Sequence, residues 1–196
     1  MRILSVISLF LLLIIPSWAK LPNKKAPPAF ALKDINGNTH KIQEFHQKTL
    51  VLEWHNPKCP FSKRHTVEKT FINLQNKYLS KNVDFLAIDS SNPGAAANMI
   101  EYYDWIQKYG VNYPILQDLT GEVGKKYDAR VTPHIFIIHK GILVYQGAVD
   151  DDTFGEKPRS KRKNYVDMAL ASLTKKGSLP KGMKSYYPEY GCGIKY

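Results

Sequence analysis

Hydrophobic and polar positions alternate between two periods along most of the chain. Thr49-Leu50-Val51-Leu52-Glu53-Trp54 is short and almost wholly apolar, as a buried strand requires, and Val67, Phe71, Leu74 and Tyr78 then recur at helical spacing. This predicts one long amphipathic helix after residue 59. The strand Val83–Ile88, a helix through Met99, Tyr103 and Ile106, the short strand Tyr113–Leu116 and a weaker helix over Glu122–Tyr127 continue the alternation. His134–His139 and Ile142–Gln146 flank Lys140-Gly141 and predict an antiparallel hairpin. Near the start, Phe30–Asp34 and His40–Ile42 flank Asn36-Gly37, a second hairpin signal. The last helix starts at Asn164, a good N-cap with Asp167 three residues on, and points Val166, Ala169, Leu170 and Leu173 inward. No internal repeat is present. Crossover helices between the early strands and an antiparallel closing hairpin predict an α/β fold: a central mixed sheet, helices on both faces, and an N-terminal β-hairpin.

The termini fall outside this alternation. Arg2 precedes the apolar run Ile3–Ile15, and Ser17-Trp18-Ala19 follows it, so residues 1–19 read as a secretory signal peptide. The run is shorter than the roughly 20 residues a membrane span needs, so no stable membrane insertion is expected after cleavage. Residues 20–29, rich in Pro and Lys, should lie extended, residues 30–177 form one domain, and residues 178–196 make a Pro-, Gly- and Tyr-rich C-terminal tail. At 196 residues, 43% hydrophobic and 23% charged, the chain has an ordinary globular composition and is long enough for a core without disulfide staples. The expected location is periplasmic or secreted.

The formal charge of +11 is spread over scattered lysines. The one dense cluster, Lys157 to Lys163, lacks the interleaved aromatics of a base-stacking surface, so charge points to solubility or an anionic envelope surface and not to nucleic acid.

Two cysteines occur, Cys59 and Cys192. An even pair in an oxidising compartment is either a bridge or a redox couple. Cys59 falls at a predicted strand-to-helix turn, where unpaired backbone N–H groups and the helix dipole favour a thiolate. Lys58, Lys63 and Arg64 add positive charge, and His55 and His65 are near enough in sequence to stabilise a thiolate or carry a proton. A free cysteine is commonly a small buried hydrophobe, but one between Lys58 and Pro60 is badly placed to fill a core.

The strand ending at Trp54, the helix opening Cys59-Pro60-Phe61-Ser62, and Val131-Thr132-Pro133 before an apolar strand resemble the thioredoxin superfamily. With the N-terminal hairpin, the chain is most similar to its redoxin branch, the AhpC/TSA-type peroxiredoxin-like proteins. The resemblance implies a thioredoxin-like fold over roughly residues 28–175 and a cis bond before Pro133. It also implies substrate positioning by Pro133, Thr132, Asn56 and Trp54, and a thiolate at Cys59 supported by Lys58, His55 and Arg64. The implied activity is thiol-disulfide exchange or peroxide reduction, with protein thiols and disulfides or peroxide as partners, a thiol reductant, and no cofactor.

Departures from the family pattern sharpen the question. Ser62 stands where Cys-x-x-Cys proteins carry the second cysteine. Leu52, Asn56 and Pro133 stand where peroxiredoxins carry the Pro, hydroxyl and Arg that hold peroxide, and Arg130 lies three residues before Pro133. Asn56 either bonds a peroxide or sulfenate oxygen or caps the turn before Pro57. Cys192 is then a distant resolving thiol, one end of a permanent Cys59–Cys192 staple in a non-catalytic binding module, or an intermolecular bridge; Gly191 and Gly193 suit a mobile or tightly turned tail. A copper or zinc site built from His55, Cys59, His65 and His134, as in a metallochaperone, is a weaker alternative because no Cys-x-x-x-Cys pair is present. His134 is expected on a substrate-facing polar surface, Asp150-Asp151-Asp152 in a solvated loop, and Tyr102, Tyr103 and Trp105 in packing.

Overall fold

The computed structural model describes residues 23–196. The signal-peptide reading of residues 1–19, and the first part of the 20–29 segment, lie outside the described residues. Ten strands and five α-helices occur among them: β1 (Ala31–Asp34), β2 (Thr39–Lys41), β3 (Thr49–Trp54), α1 (Pro60–Val67), α2 (Thr70–Tyr78), β4 (Val83–Asp89), α3 (Met99–Tyr109), β5 (Ile115–Gln117), α4 (Glu122–Tyr127), β6 (Val131–Thr132), β7 (His134–His139), β8 (Ile142–Gly147), α5 (Tyr165–Lys176), β9 (Tyr186–Tyr187) and β10 (Cys192–Gly193). The main sheet runs β2-β1-β5-β4-β3-β7-β8-β9. Strands β3, β4 and β5 are parallel, β7 runs antiparallel to β3, and the β1–β2 and β7–β8 pairs are the two expected hairpins.

The sheet is mixed and covered on both faces, because strict alternation along the central strands sends successive side chains to opposite cores. Val51, Phe85, Ala87, Ile135 and Ile137 face one way, into a core completed by α2, α3 and α5. Leu50, Leu52, Trp54, Leu86, Ile88 and Phe136 face the other, toward α4 and the 3₁₀ turn Ile42–Phe45.

Three helical expectations need correction. The helix after Cys59 is two helices, separated at Lys69, whose backbone is left-handed at φ 55°. Helix α1 buries Ser62, His65 and Thr66, whereas α2 buries Phe71, Leu74 and Tyr78. In a continuous helix Phe71 would stand about 140° around the axis from Thr66, so one straight rod cannot bury both sets. The break re-aims α2 at the sheet and leaves Val67 56% exposed. In α3 the buried positions are Tyr102 and Trp105, while Tyr103 faces outward and donates its hydroxyl to Ile35 O at 3.2 Å.

The segment read as a tail is woven into the fold. β9 joins the main sheet beside β8, and β10 pairs with β6 in a small second sheet.

Candidate functional site

β3 delivers the chain to a tight turn at its C-terminal end. Asn56 Oδ1 accepts the Lys58 N–H at 2.8 Å, Asn56 O accepts the Cys59 N–H at 3.0 Å, and Cys59 takes the N-cap position of α1 with Pro60 at the first helical position. Pro60 suits that place because its missing N–H would have no intrahelical acceptor. Cys59 is thereby fixed at the positive end of a helix and is only 4% exposed.

Three backbone segments converge on the sulfur. The Thr132–Pro133 bond is cis, and the Cys59 thiol donates to Thr132 O at 2.9 Å. On the far side of β6, β10 pairs antiparallel in the register Cys192↔Thr132 and Gly193↔Val131. This pairing brings the second cysteine, 133 residues on in sequence, beside the first, and the two line the same cleft. Gly191 makes the approach possible. Its φ is +148°, and a side chain there would put a Cβ 2.1 Å from Thr132 O.

The two thiols are electrostatically unequal. Burial opposes ionisation of Cys59, but the thiol of Cys192, the Thr132 side chain and the N–H groups of Ser62 and Cys192 outweigh it and hold Cys59 below the ordinary cysteine value. Burial, and then the neighbouring Cys59, push Cys192 up to about 12. The site thus favours the thiolate at Cys59 and the protonated thiol at Cys192.

Several expected site residues do other work. Lys58 Nζ reaches Ala96 O at 2.9 Å and Glu101 at 3.1 Å. His55 is buried against Trp105, with ring centroids 4.5 Å apart, and its Nδ1 lies 2.9 Å from Glu53 Oε1. Arg64 binds Asp150 at 3.2 Å and donates to the Tyr190 hydroxyl at 2.7 Å. The three basic residues expected to support the thiolate are thus committed elsewhere, and the groups that lower Cys59 are mostly neutral donors. Trp54 belongs to the core: it is fully buried between Tyr127 and Phe136 and donates to Ser90 Oγ at 3.0 Å. Asn56 caps the turn, and its amide is spent on Ser91 Oγ at 3.1 Å and Ala95 O at 3.0 Å. His134 is buried against Phe136 instead of facing substrate. Arg130 is held by Asp128 and, at 3.7 Å, by Glu189. The histidines considered with Cys59 as metal ligands are therefore engaged separately: His55 with Glu53, His65 with Tyr190, and His134 with Phe136.

The acidic run also departs from expectation. Asp150 and Asp152 are buried, paired with Arg64 and Arg162, because Arg64 sits on α1 and Arg162 folds back over it. Tyr190 enters this cluster, donating to Asp150 while accepting from Arg64, with its ring 6.2 Å from Phe61. Burial, together with Arg64 and Arg162, pulls His65 well below the ordinary histidine value, so it sits neutral beside the Tyr190 hydroxyl at 3.1 Å. The cluster fixes the chain two residues before Cys192. Sequence reasoning missed Tyr190, Asp150 and the terminal Tyr196, although the closeness of two tyrosines to Cys192 was a usable signal.

Comparison with known proteins places this geometry in context. The AhpC/TSA family model matches residues 22–146. The thiol-disulfide oxidoreductase ResA of Bacillus thuringiensis subsp. konkukian is 24% identical over 148 residues, covering 75% of this chain and 78% of that protein. Among solved structures, an uncharacterized conserved protein from Geobacillus kaustophilus superposes with a TM-score of 0.75 at 30% identity, over 89% of this chain and 92% of that one. The thioredoxin domain of a thiol-disulfide oxidoreductase from Bacteroides vulgatus superposes at 0.55 with 15% identity, over 65% of this chain and 89% of that one, a likeness of fold alone.

Proposed function

The chain belongs to the AhpC/TSA family within the thioredoxin superfamily, and from that premise we propose that it is an exported thiol-disulfide oxidoreductase in which Cys59 is the nucleophile and Cys192 the resolving cysteine. The carrying observation is the pair of free cysteines set side by side at the start of α1 by the β10–β6 pairing, beside Pro133, with Cys59 lowered and Cys192 raised. The relative named for this chemistry, ResA, supports the reaction class.

The cycle follows from thiol chemistry. The Cys59 thiolate attacks one sulfur of a disulfide RSSR, forming Cys59–S–S–R and releasing RS⁻, which takes up a proton. Cys192 then loses its proton and attacks Cys59 Sγ, closing Cys59–Cys192 and releasing the second RS⁻. Two electrons pass from the protein to the substrate, and an external thiol restores the dithiol by the reverse exchange.

Peroxide reduction has less support. Leu52 replaces the proline of the peroxide pocket, and the amide of Asn56 is already consumed by Ser91 and Ala95. Export rests on the sequence of residues 1–19.

Equilibration with glutathione buffers distinguishes this reading from a structural staple. A working couple exchanges reversibly, with a potential well above the roughly −300 mV below which structural disulfides resist glutathione. A pair that stays fully oxidised across the buffer series contradicts it.

A further inference from the structure

The strand edge of β6 runs past Cys59 Sγ, with Thr132 O 2.9 Å from the sulfur. An extended polypeptide that aligns its own sulfur with Cys59 does so most readily by pairing with that edge. The protein itself demonstrates the mode: Cys192 reaches Cys59 because β10 pairs with β6.

We propose that residues 190–196 occupy this edge as a built-in substrate strand, so that the dithiol serves small disulfides and discriminates against extended polypeptide disulfides. This rests on the oxidoreductase reading above and specifies its substrate class.

The occupant is anchored well beyond the cysteine. Ile194 N donates to Arg130 O at 2.9 Å and Asn92 N to Lys195 O at 2.7 Å. The terminal Tyr196 lies against α4, its hydroxyl donating to Ala129 O at 2.6 Å. It fits because Gly124 has no side chain: a Cβ there would fall 2.6 Å from the Tyr196 hydroxyl oxygen. Upstream, Tyr190 is held by Asp150 and Arg64. What remains open beside the sulfurs is a cleft of about 270 Å³ lined by Asn56, Lys58, Cys59, Ser91, Thr132 and Cys192, among others. That is near the small end of ligand sites.

Chemistry adds a second reason. A polypeptide paired with β6 has displaced β10 and carried Cys192 away with it, so strand docking and resolution exclude each other. A small disulfide entering by the cleft leaves Cys192 in place, and both exchange steps proceed without rearrangement.

The test uses reduced wild-type protein and the variants Tyr196→Ala and Gly191→Ala, which keep both cysteines and release the strand by unrelated routes. Oxidation by bis(2-hydroxyethyl) disulfide is compared with oxidation by the symmetrical disulfide of a short β-forming peptide, each rate divided by that reagent's rate with free cysteine. The wild type should favour the small disulfide by about tenfold or more, as expected when a competent open state is a minor population. Both variants should narrow that ratio, and the Cys59–peptide mixed disulfide should accumulate in them. A wild-type ratio near unity overturns the proposal, as does an unchanged ratio in variants whose Ile194 amide exchanges faster with solvent. If the small disulfide fails to oxidise even the wild type, the oxidoreductase reading itself fails.

Discussion

Replacing Cys192 with alanine removes the thiol that donates to Cys59 while leaving the β10 backbone, and hence the residue 192 N–H, in place. A hydrogen bond to a charged group contributes about 1.5–3 kcal/mol, and a thiol is a weak donor, which sets the loss at the lower end. Losing that donor should therefore raise the Cys59 pKa toward the ordinary cysteine value. The assay is the pH dependence of iodoacetamide alkylation, read by intact mass. Because the thiolate is the reacting form, a lowered pKa moves the midpoint of the rate curve to lower pH. The wild-type midpoint at Cys59 should therefore fall below the ordinary cysteine value, and the Cys192→Ala midpoint should return toward it. Lys58→Met supplies the contrast, since Lys58 is exposed and bound to Glu101 and Ala96 O, and it should leave the midpoint nearly unmoved. An unmoved midpoint in Cys192→Ala, or a larger shift in Lys58→Met, would refute the assignment of the lowered pKa to the paired thiol.

Other outcomes follow from the same structure. Closing the Cys59–Cys192 disulfide should stabilise the fold by up to about 5 kcal/mol in the chain-entropy treatment, raising the melting temperature by up to about 10–20 °C in calorimetry of oxidised against reduced protein. Arg64→Met leaves Asp150 buried without its main cationic partner and should cost about 3–5 kcal/mol in urea denaturation; Lys77→Ala, which removes an exposed pair with Asp167, should cost under about 1 kcal/mol. Val67→Lys should fall within about 0.5 kcal/mol of wild type because the helix break turns Val67 to solvent, whereas Phe71→Ala, in the core under α2, should cost about 3–5 kcal/mol.

The sheet was legible because its signals are local and periodic. The alternation in Val51-Leu52, Phe85-Leu86 and Ile135-Phe136 fills two opposite cores, and the Asn36-Gly37 and Lys140-Gly141 turns fix two hairpins. The break at Lys69 was hidden because both halves keep helical spacing, and only the change of buried face between Thr66 and Phe71 betrays it. At the site, the turn chemistry of Cys59 and the cis bond before Pro133 could be expected from the motifs. Charge misled, since sequence neighbours such as Lys58 and Arg64 found partners far along the chain in Glu101 and Asp150. The flanking glycines were legible only as freedom; Gly191 in fact provides clearance for close strand packing against Thr132. Pairings between residues 131–132 and 192–193 leave no local trace, so the sequence named Cys192 as the partner of Cys59 only because it is the other cysteine, and left the kind of pairing open.

The central claim is that Cys59 attacks and Cys192 resolves, and trapping the intermediate tests it most directly. Reduced wild-type protein and Cys192→Ser are exposed to bis(2-hydroxyethyl) disulfide and analysed by intact mass and peptide mapping. The wild type should lose one pair of hydrogens and yield a single Cys59–Cys192 cross-linked peptide, while Cys192→Ser should stop with one mercaptoethanol adduct on Cys59. A wild type that keeps both thiols, or an adduct that forms on Cys192 and spares Cys59 in the wild type, would contradict the account.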